Sequence, residues 1–207
     1  MSIGGTASYG RLAGREVPDL VRAAVAAAGV LGFEFCVRPE TGRLLGTLAA
    51  GLPPGSRVGE TGTGTGAGLA WMVVAADPTV RFVSYEREVT RAEAAREVFA
   101  DLPNVEVVCG DSTALFGAGP FDLLVHDGGP GSGKIPGSSV DPVDVLRPGG
   151  TMTIDDYTPT NSWPPTFEGG VDESRVHWLS HPLLTSTEVR VAPDLAVVVC
   201  RYLPARP

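Results

Sequence analysis

The chain alternates between two hydrophobic rhythms, one helical and one extended. Leu20, Val21, Ala24, Val25 and Ala28 recur at helical spacing, which predicts a helix over 8–29 ended by Gly29 and Gly32. A second helix is expected over 39–50, with Pro39 in its first turn and Gly51 after it. Pro53-Pro54-Gly55 then reads as a turn. From there strand and helix patterns alternate: strand 57–61, helix 66–76, strand 80–85, helix 88–100 and strand 105–109. Strand 121–126 is nearly all apolar, as a strand buried on both faces should be. A short helix over 140–146, a turn at 147–150 and a strand at 151–154 follow. After a long polar loop over 157–170 come a helix at 172–179 and two strands, 188–191 and 195–202, paired as a hairpin.

Such alternation predicts an α/β fold: a three-layer α/β/α sandwich around a mostly parallel sheet of seven strands, closed by antiparallel pairing at its end. Residues 1–52 form an N-terminal helical extension, and 1–207 is read as one domain, the default for a chain of 207 residues. A loop as long as 157–170 is often functional, and a lid is one such role. Its Trp163, Pro164, Pro165 and Phe167 either cover an apolar substrate or anchor the loop on the domain.

Composition narrows the partners. Charged residues are 19% of the chain, which argues against wholesale disorder, and the net charge is −8, a poor match for phosphate backbones. No nucleic-acid partner is expected. The longest apolar run, Leu69 to Ala76, is too short to span a bilayer, so no membrane partner is expected. Cys36, Cys109 and Cys200 lie far apart and form no metal or disulfide spacing, which fits a cytoplasmic location.

The candidate chemistry begins at Glu60-Thr61-Gly62-Thr63-Gly64-Thr65-Gly66, between a strand and a helix. Gly62, Gly64 and Gly66 allow a sharp turn and close approach of a ligand to the backbone around Thr63. Glu60 stands where a carboxylate attracts the ammonium of a methionine moiety and is an awkward neighbour for a pyrophosphate. Acidic residues recur at later strand ends, where open α/β sheets bind small molecules. Glu86 is placed to accept both ribose hydroxyls, and Asp111, beside Ser112, to meet an adenine amino group. Asp127 follows the fourth strand, and Asp155 with Asp156 follows the fifth. Carboxylates converging there repel one another unless one is protonated or a cation lies between them. Oxygen ligands suit Mg²⁺ or Ca²⁺ better than zinc. The plainer readings are a helix cap for Asp111, a cofactor contact for Asp127 and a loop start for Asp155-Asp156.

The ordered runs RVGETGTGTG, VSYE, CGDS, FDLLVHDGG and LRPGGTMTIDD together resemble class I S-adenosylmethionine-dependent methyltransferases over about residues 39–202. Within that class the chain is most similar to small O-methyltransferases of the catechol and caffeoyl-CoA type. The resemblance implies a Rossmann-like fold with S-adenosylmethionine as cofactor, bound by Glu60, Gly62, Thr63, Gly64, Gly66, Glu86, Asp111, Ser112 and Asp127. It further implies a divalent cation such as Mg²⁺ on Asp127, Asp155 and Asp156, and methyl transfer to a hydroxyl of a small-molecule substrate. Related enzymes have Asn where Asp156 stands, and a Lys close behind the fourth-strand Asp. Here Lys134 lies further along a glycine-rich loop. Asp127, Lys134 and His126 are the candidate catalytic residues, the last two as bases, while His177 and His181 read as surface residues. A homodimer through the N-terminal helices is also implied. The competing readings are an NAD(P)-dependent oxidoreductase and a non-catalytic S-adenosylmethionine-binding protein.

Overall fold

A computed structural model describes residues 4–12, 17–135 and 137–203. The elements in order are α1 (Gly5–Ser8), a 3₁₀ turn (Tyr9–Arg11), α2 (Asp19–Leu31), α3 (Pro39–Ala50), β1 (Arg57–Thr61), α4 (Ala67–Ala75), β2 (Arg81–Glu86) and α5 (Val89–Val98). Then come β3 (Val105–Cys109), α6 (Thr113–Phe116), β4 (Phe121–His126), α7 (Pro142–Val145) and β5 (Leu146–Tyr157). The chain continues with β6 (Thr166–Phe167), β7 (Gly170–Val171), α8 (Glu173–Leu179), β8 (Leu184–Ala192) and β9 (Leu195–Tyr202).

The main sheet has seven strands in the order β3-β2-β1-β4-β5-β9-β8. The first five are parallel to their neighbours, and β9 is antiparallel to both β5 and β8. The predicted fold class is therefore the observed one, with β9 alone running against the rest. Successive β4 residues divide between two apolar clusters, Leu123 and Val125 on one face and Leu124 on the other, as the alternation of a strand requires. The first cluster collects α2 to α5 against the sheet, and the second collects Leu115 of α6, Val145 of α7 and Trp178 of α8.

Helix α4 is buried along Ala67–Met72, as expected of a helix apolar on all sides. α3 lies close against it because Gly42 has no side chain. A Cβ there would sit 2.2 Å from the Trp71 ring.

Several boundaries differ from those expected, among them β8, which begins at Leu184 and not at Glu188. The first long helix begins at Asp19, because Pro18 is extended and has no N–H to donate; Gly32, at φ 62°, ends it, while Gly29 stays inside. Residues 13–16 of the expected helix lie outside the described residues. Pro148-Gly149-Gly150 does not interrupt the fifth strand. It forms an irregularity within β5, where the register against β4 shifts between Phe121 and Leu123. The loop from 157 carries the small β6-β7 ribbon.

The strand order reverses between β1 and β4, and the crevice outside such a reversal is where open α/β sheets take ligands.

Candidate active site

The glycine turn sits at that reversal. Gly62, Gly64 and Gly66 have φ of 81°, 56° and 94°. The N–H groups of Gly62 and Thr63 donate to the Tyr85 carbonyl at 2.9 and 3.1 Å, tying the turn to the end of β2. A Cβ on Gly62 would lie 3.1 Å from the Asp127 carbonyl oxygen, so the turn and the end of β4 are in contact.

Glu60 is buried behind this turn. The Ser84 hydroxyl donates to its Oε2 at 2.5 Å, and the Thr63 hydroxyl lies 2.5 Å from that of Ser84. Burial pushes the Glu60 carboxyl up to about 8, with further upward pressure from Asp155 and Glu86. Glu60 is 1% exposed. Its influence passes through Ser84 and Thr63.

Glu86, also buried, closes β2. Its Oε2 accepts the Gly64 N–H at 2.8 Å, and its Oε1 accepts from the Glu88 N–H and Arg91 Nη2, each at 2.8 Å. Glu86 lines a cleft of about 120 Å³ together with Asp111, Ser112 and Gly129. Asp111 is exposed and caps the following turn. Its Oδ1 accepts from the Thr113 hydroxyl at 2.7 Å and N–H at 2.8 Å, which hold its carboxyl below the ordinary range. The capping reading and the cleft position of Asp111 thus coexist.

At the ends of β4 and β5, Asp127, Asp155 and Asp156 bring carboxylate oxygens within 4.8 Å of one another. The Asp127 N–H donates to the Thr61 carbonyl at 3.1 Å, which holds it beside the turn. Burial raises the Asp127 carboxyl well above its ordinary value, and Asp155 adds to this. Asp155 is raised by burial and by Asp156. Asp156 has φ 56°, an uncommon left-handed conformation for a residue with a side chain. Lys134 reaches this cluster from its loop. Its ammonium donates to the Asp155 carbonyl oxygen and lies 4.8 Å from the centre of the Tyr157 ring.

Beyond the aspartates opens a cavity of about 610 Å³. Lys134, Asp156, Tyr157, Phe167, Val171 and His177 contribute to its lining. Arg175 lies under the wall, fully buried. Its guanidinium donates to Asp172 and Glu188 at 2.9 Å each and to the Thr158 carbonyl at 2.8 Å, and it sits 4.7 Å from the Tyr157 ring centre. The Tyr157 hydroxyl and Ser174 are 2.8 Å apart.

Two sequence readings are revised here. His177 lines the cavity instead of standing apart from it. His126 is buried against Phe116, lines neither the clefts nor the cavity, and both its ring nitrogens lack hydrogen-bond partners. Burial lowers it to about 4, and it has no access to a substrate proton, so its assignment as a base is withdrawn. Of the loop aromatics, Phe167 reaches the cavity, whereas Trp163 is 68% exposed and lies outside its lining.

No protein-family model and no curated protein matches the sequence. Solved structures do match. TomG from Streptomyces achromogenes, an O-methyltransferase of tomaymycin synthesis in complex with S-adenosylmethionine, superposes with a TM-score of 0.70 at 21% identity, over 96% of this chain and 95% of TomG. Cofactor-bound Rv0187 from MTB gives 0.72 at 22% identity, over 94% and 93%. The Bacillus cereus O-methyltransferase in complex with S-adenosylhomocysteine gives 0.70 at 17% identity, over 95% and 96%. This chain has their Rossmann-like fold.

Proposed function

We propose that the chain is an S-adenosylmethionine-dependent O-methyltransferase of a small-molecule hydroxyl, assisted by a divalent cation, Mg²⁺ in the first instance. One observation carries the reading: Asp127 lines the narrow cleft at the glycine turn, while Asp156 lines the large cavity. A methyl donor along β1–β3 and an acceptor in the cavity would meet at the aspartates. The cofactors bound to TomG and to the Bacillus cereus enzyme support the choice of donor.

The donor contacts we assign are the backbone at Gly62, Thr63, Gly64 and Gly66, the Glu86 carboxylate for the ribose hydroxyls, and Asp111 with Ser112 for the adenine. The oxygen-only set Asp127, Asp155 and Asp156 suits a hard cation, and two of its members are buried carboxyls whose mutual repulsion a cation would relieve. S-adenosylmethionine would supply an electrophilic methyl on sulfur, and the cation would lower the pKa of the acceptor hydroxyl. The rest is assigned to the chain. Asp127, fixed to the turn, sets where acceptor and donor meet. Lys134, in its neutral amine form and released from the Asp155 carbonyl, would take the hydroxyl proton as the new oxygen–carbon bond forms and the methyl–sulfur bond breaks, leaving S-adenosylhomocysteine. Tyr157, Phe167 and Val171 shape the cavity and keep water from it.

The partner we assign is a small molecule, with neither nucleic acid nor membrane, in the cytoplasm. Among the described residues no helix is long and apolar enough to cross a membrane, and the cysteines are unpaired. One domain over 1–207 and a homodimer through the N-terminal helices complete the proposal; sedimentation of the intact protein tests the dimer.

The deciding experiment is calorimetric titration with S-adenosylhomocysteine, with and without Mg²⁺, and with NADH as control. Binding of the homocysteine compound and not of NADH is expected, with a Mg²⁺ effect absent from Asp155→Ala. No binding of the compound would overturn the proposal, and binding of NADH would favour an oxidoreductase.

A further inference from the structure

The loop between α2 and α3 crosses the glycine turn as a strap. Phe33, Phe35, Cys36 and Val37 face Gly62 to Thr65 across a gap of about 10 Å³, room for about one water molecule. The strap is held on its far side by α1 and the turn after it. Thr6 Oγ1 donates to the Phe33 carbonyl at 2.7 Å, and the Tyr9 hydroxyl donates to the Val37 carbonyl at 2.9 Å. Its near side is held by Arg91 of α5. The Arg91 guanidinium is 5.1 Å from the centre of the Phe33 ring, and the same group pairs with Glu86 Oε1 at 2.8 Å. Arg91 Nε is buried with no hydrogen-bond partner, a further sign that the guanidinium is drawn in from solvent.

We infer that Arg91 is a latch on the cofactor site, a contact the cofactor must break in order to bind. The inference rests on the methyltransferase reading, in which Glu86 takes the ribose hydroxyls. The Glu86 carboxylate offers about four acceptor sites, of which the Gly64 N–H, the Glu88 N–H and Arg91 already take three, and its side chain is only 3% exposed, so two ribose hydroxyls need one of these donors to leave. A donor reaching Glu86 therefore displaces Arg91. Losing Arg91 also removes the cation from the Phe33 ring, so the strap keeps on its inner side the contact of Cys36 Sγ with Thr65 Oγ1 at 3.8 Å but loses that to α5 as the ribose arrives. Opening of the strap and occupation of the ribose site are thereby coupled through one side chain.

The test compares the wild type with Arg91→Ala and Phe33→Leu. The first variant removes both contacts; the second removes the ring contact, together with part of the packing of Phe33 over Gly64, and keeps an apolar side chain. Two readouts are taken: amide hydrogen exchange over 33–37 in the ligand-free protein, and calorimetric affinity for S-adenosylhomocysteine. The latch predicts faster exchange of the strap in both variants, and affinity raised about fivefold in Arg91→Ala, the scale of a partly exposed ion pair. Unchanged exchange in both variants, or weaker binding by Arg91→Ala with an unaltered melting temperature, overturns it. A wild type and an Arg91→Ala variant that both fail to bind S-adenosylhomocysteine overturn the methyltransferase reading and the latch with it, whereas wild-type binding with unchanged exchange in the variants overturns the latch alone.

Discussion

The Ser84 hydroxyl donates a 2.5 Å hydrogen bond to the carboxyl of Glu60, its cross-strand partner, with both residues buried beneath the glycine turn. The bond joins β2 to β1 at the point where the chain leaves the sheet for the turn. Ser84→Ala leaves the buried carboxyl without that donor. The expected cost is about 1–3 kcal/mol of stability, read from urea denaturation, with weaker binding of S-adenosylhomocysteine because Thr63 loses its anchor. An unchanged denaturation midpoint would show that the bond adds nothing.

The raised carboxyls make stability depend on pH. Glu60 stands at about 8, against an ordinary 4.5, and Asp127 and Asp155 are raised above 3.8. Between the ordinary and raised values the folded chain holds more protons than the unfolded one, so stability falls as pH rises through that window. The melting temperature is expected to fall from pH 5 to pH 8. Millimolar Mg²⁺ should recover more of it at pH 8, where the aspartates must otherwise ionise against one another. A melting temperature that rises across this range would contradict the assignment.

Arg175 ties α8 to β8 through Glu188 and to the end of β5 through the Thr158 carbonyl. Replacing it with Met strands Asp172 and Glu188 in a half-buried site. A loss of about 3 kcal/mol is expected, the scale for removing one partner of a buried pair, and is measurable by denaturant titration.

Lys134 is exposed at the cavity rim and should matter little to folding. In Lys134→Met the turnover number is expected to fall by about 10²–10⁴. Melting temperature and affinity for S-adenosylhomocysteine should stay at wild-type values. Full turnover in this variant would remove Lys134 from the reaction.

Much of this fold was readable from short-range pattern. Helix 39–50 and strands 57–61, 105–109 and 121–126 fall at their expected bounds, because each is a periodic apolar run with Gly, Pro or a charge at its end. Where local signals competed, reading failed. An alanine-rich stretch looked helical through Pro18, and Pro148-Gly149-Gly150 looked like a turn although pairing on both sides keeps it in β5. In the site, the glycines and the aspartates were legible because each ends a recognisable strand. Ser84, Arg91, Tyr157 and Arg175 were not. Their roles come from partners brought together by the fold, as when Arg175 meets Glu188 and Thr158. One signal for Arg175 was available: it stands three residues before Trp178 on a short helix, on the face that packs inward.

The strand order also has a temporal meaning. β8 is made before β9, yet within the sheet it touches only β9, which must slot between β5 and β8. On a ribosome, β5 waits with an open edge until residues 195–202 emerge. The helix behind the large cavity is fastened to β8 by Arg175 and Glu188. The wall of the large cavity is thus the last portion of the molecule to gain its support during synthesis, after the half of the sheet that carries the glycine turn is already in place.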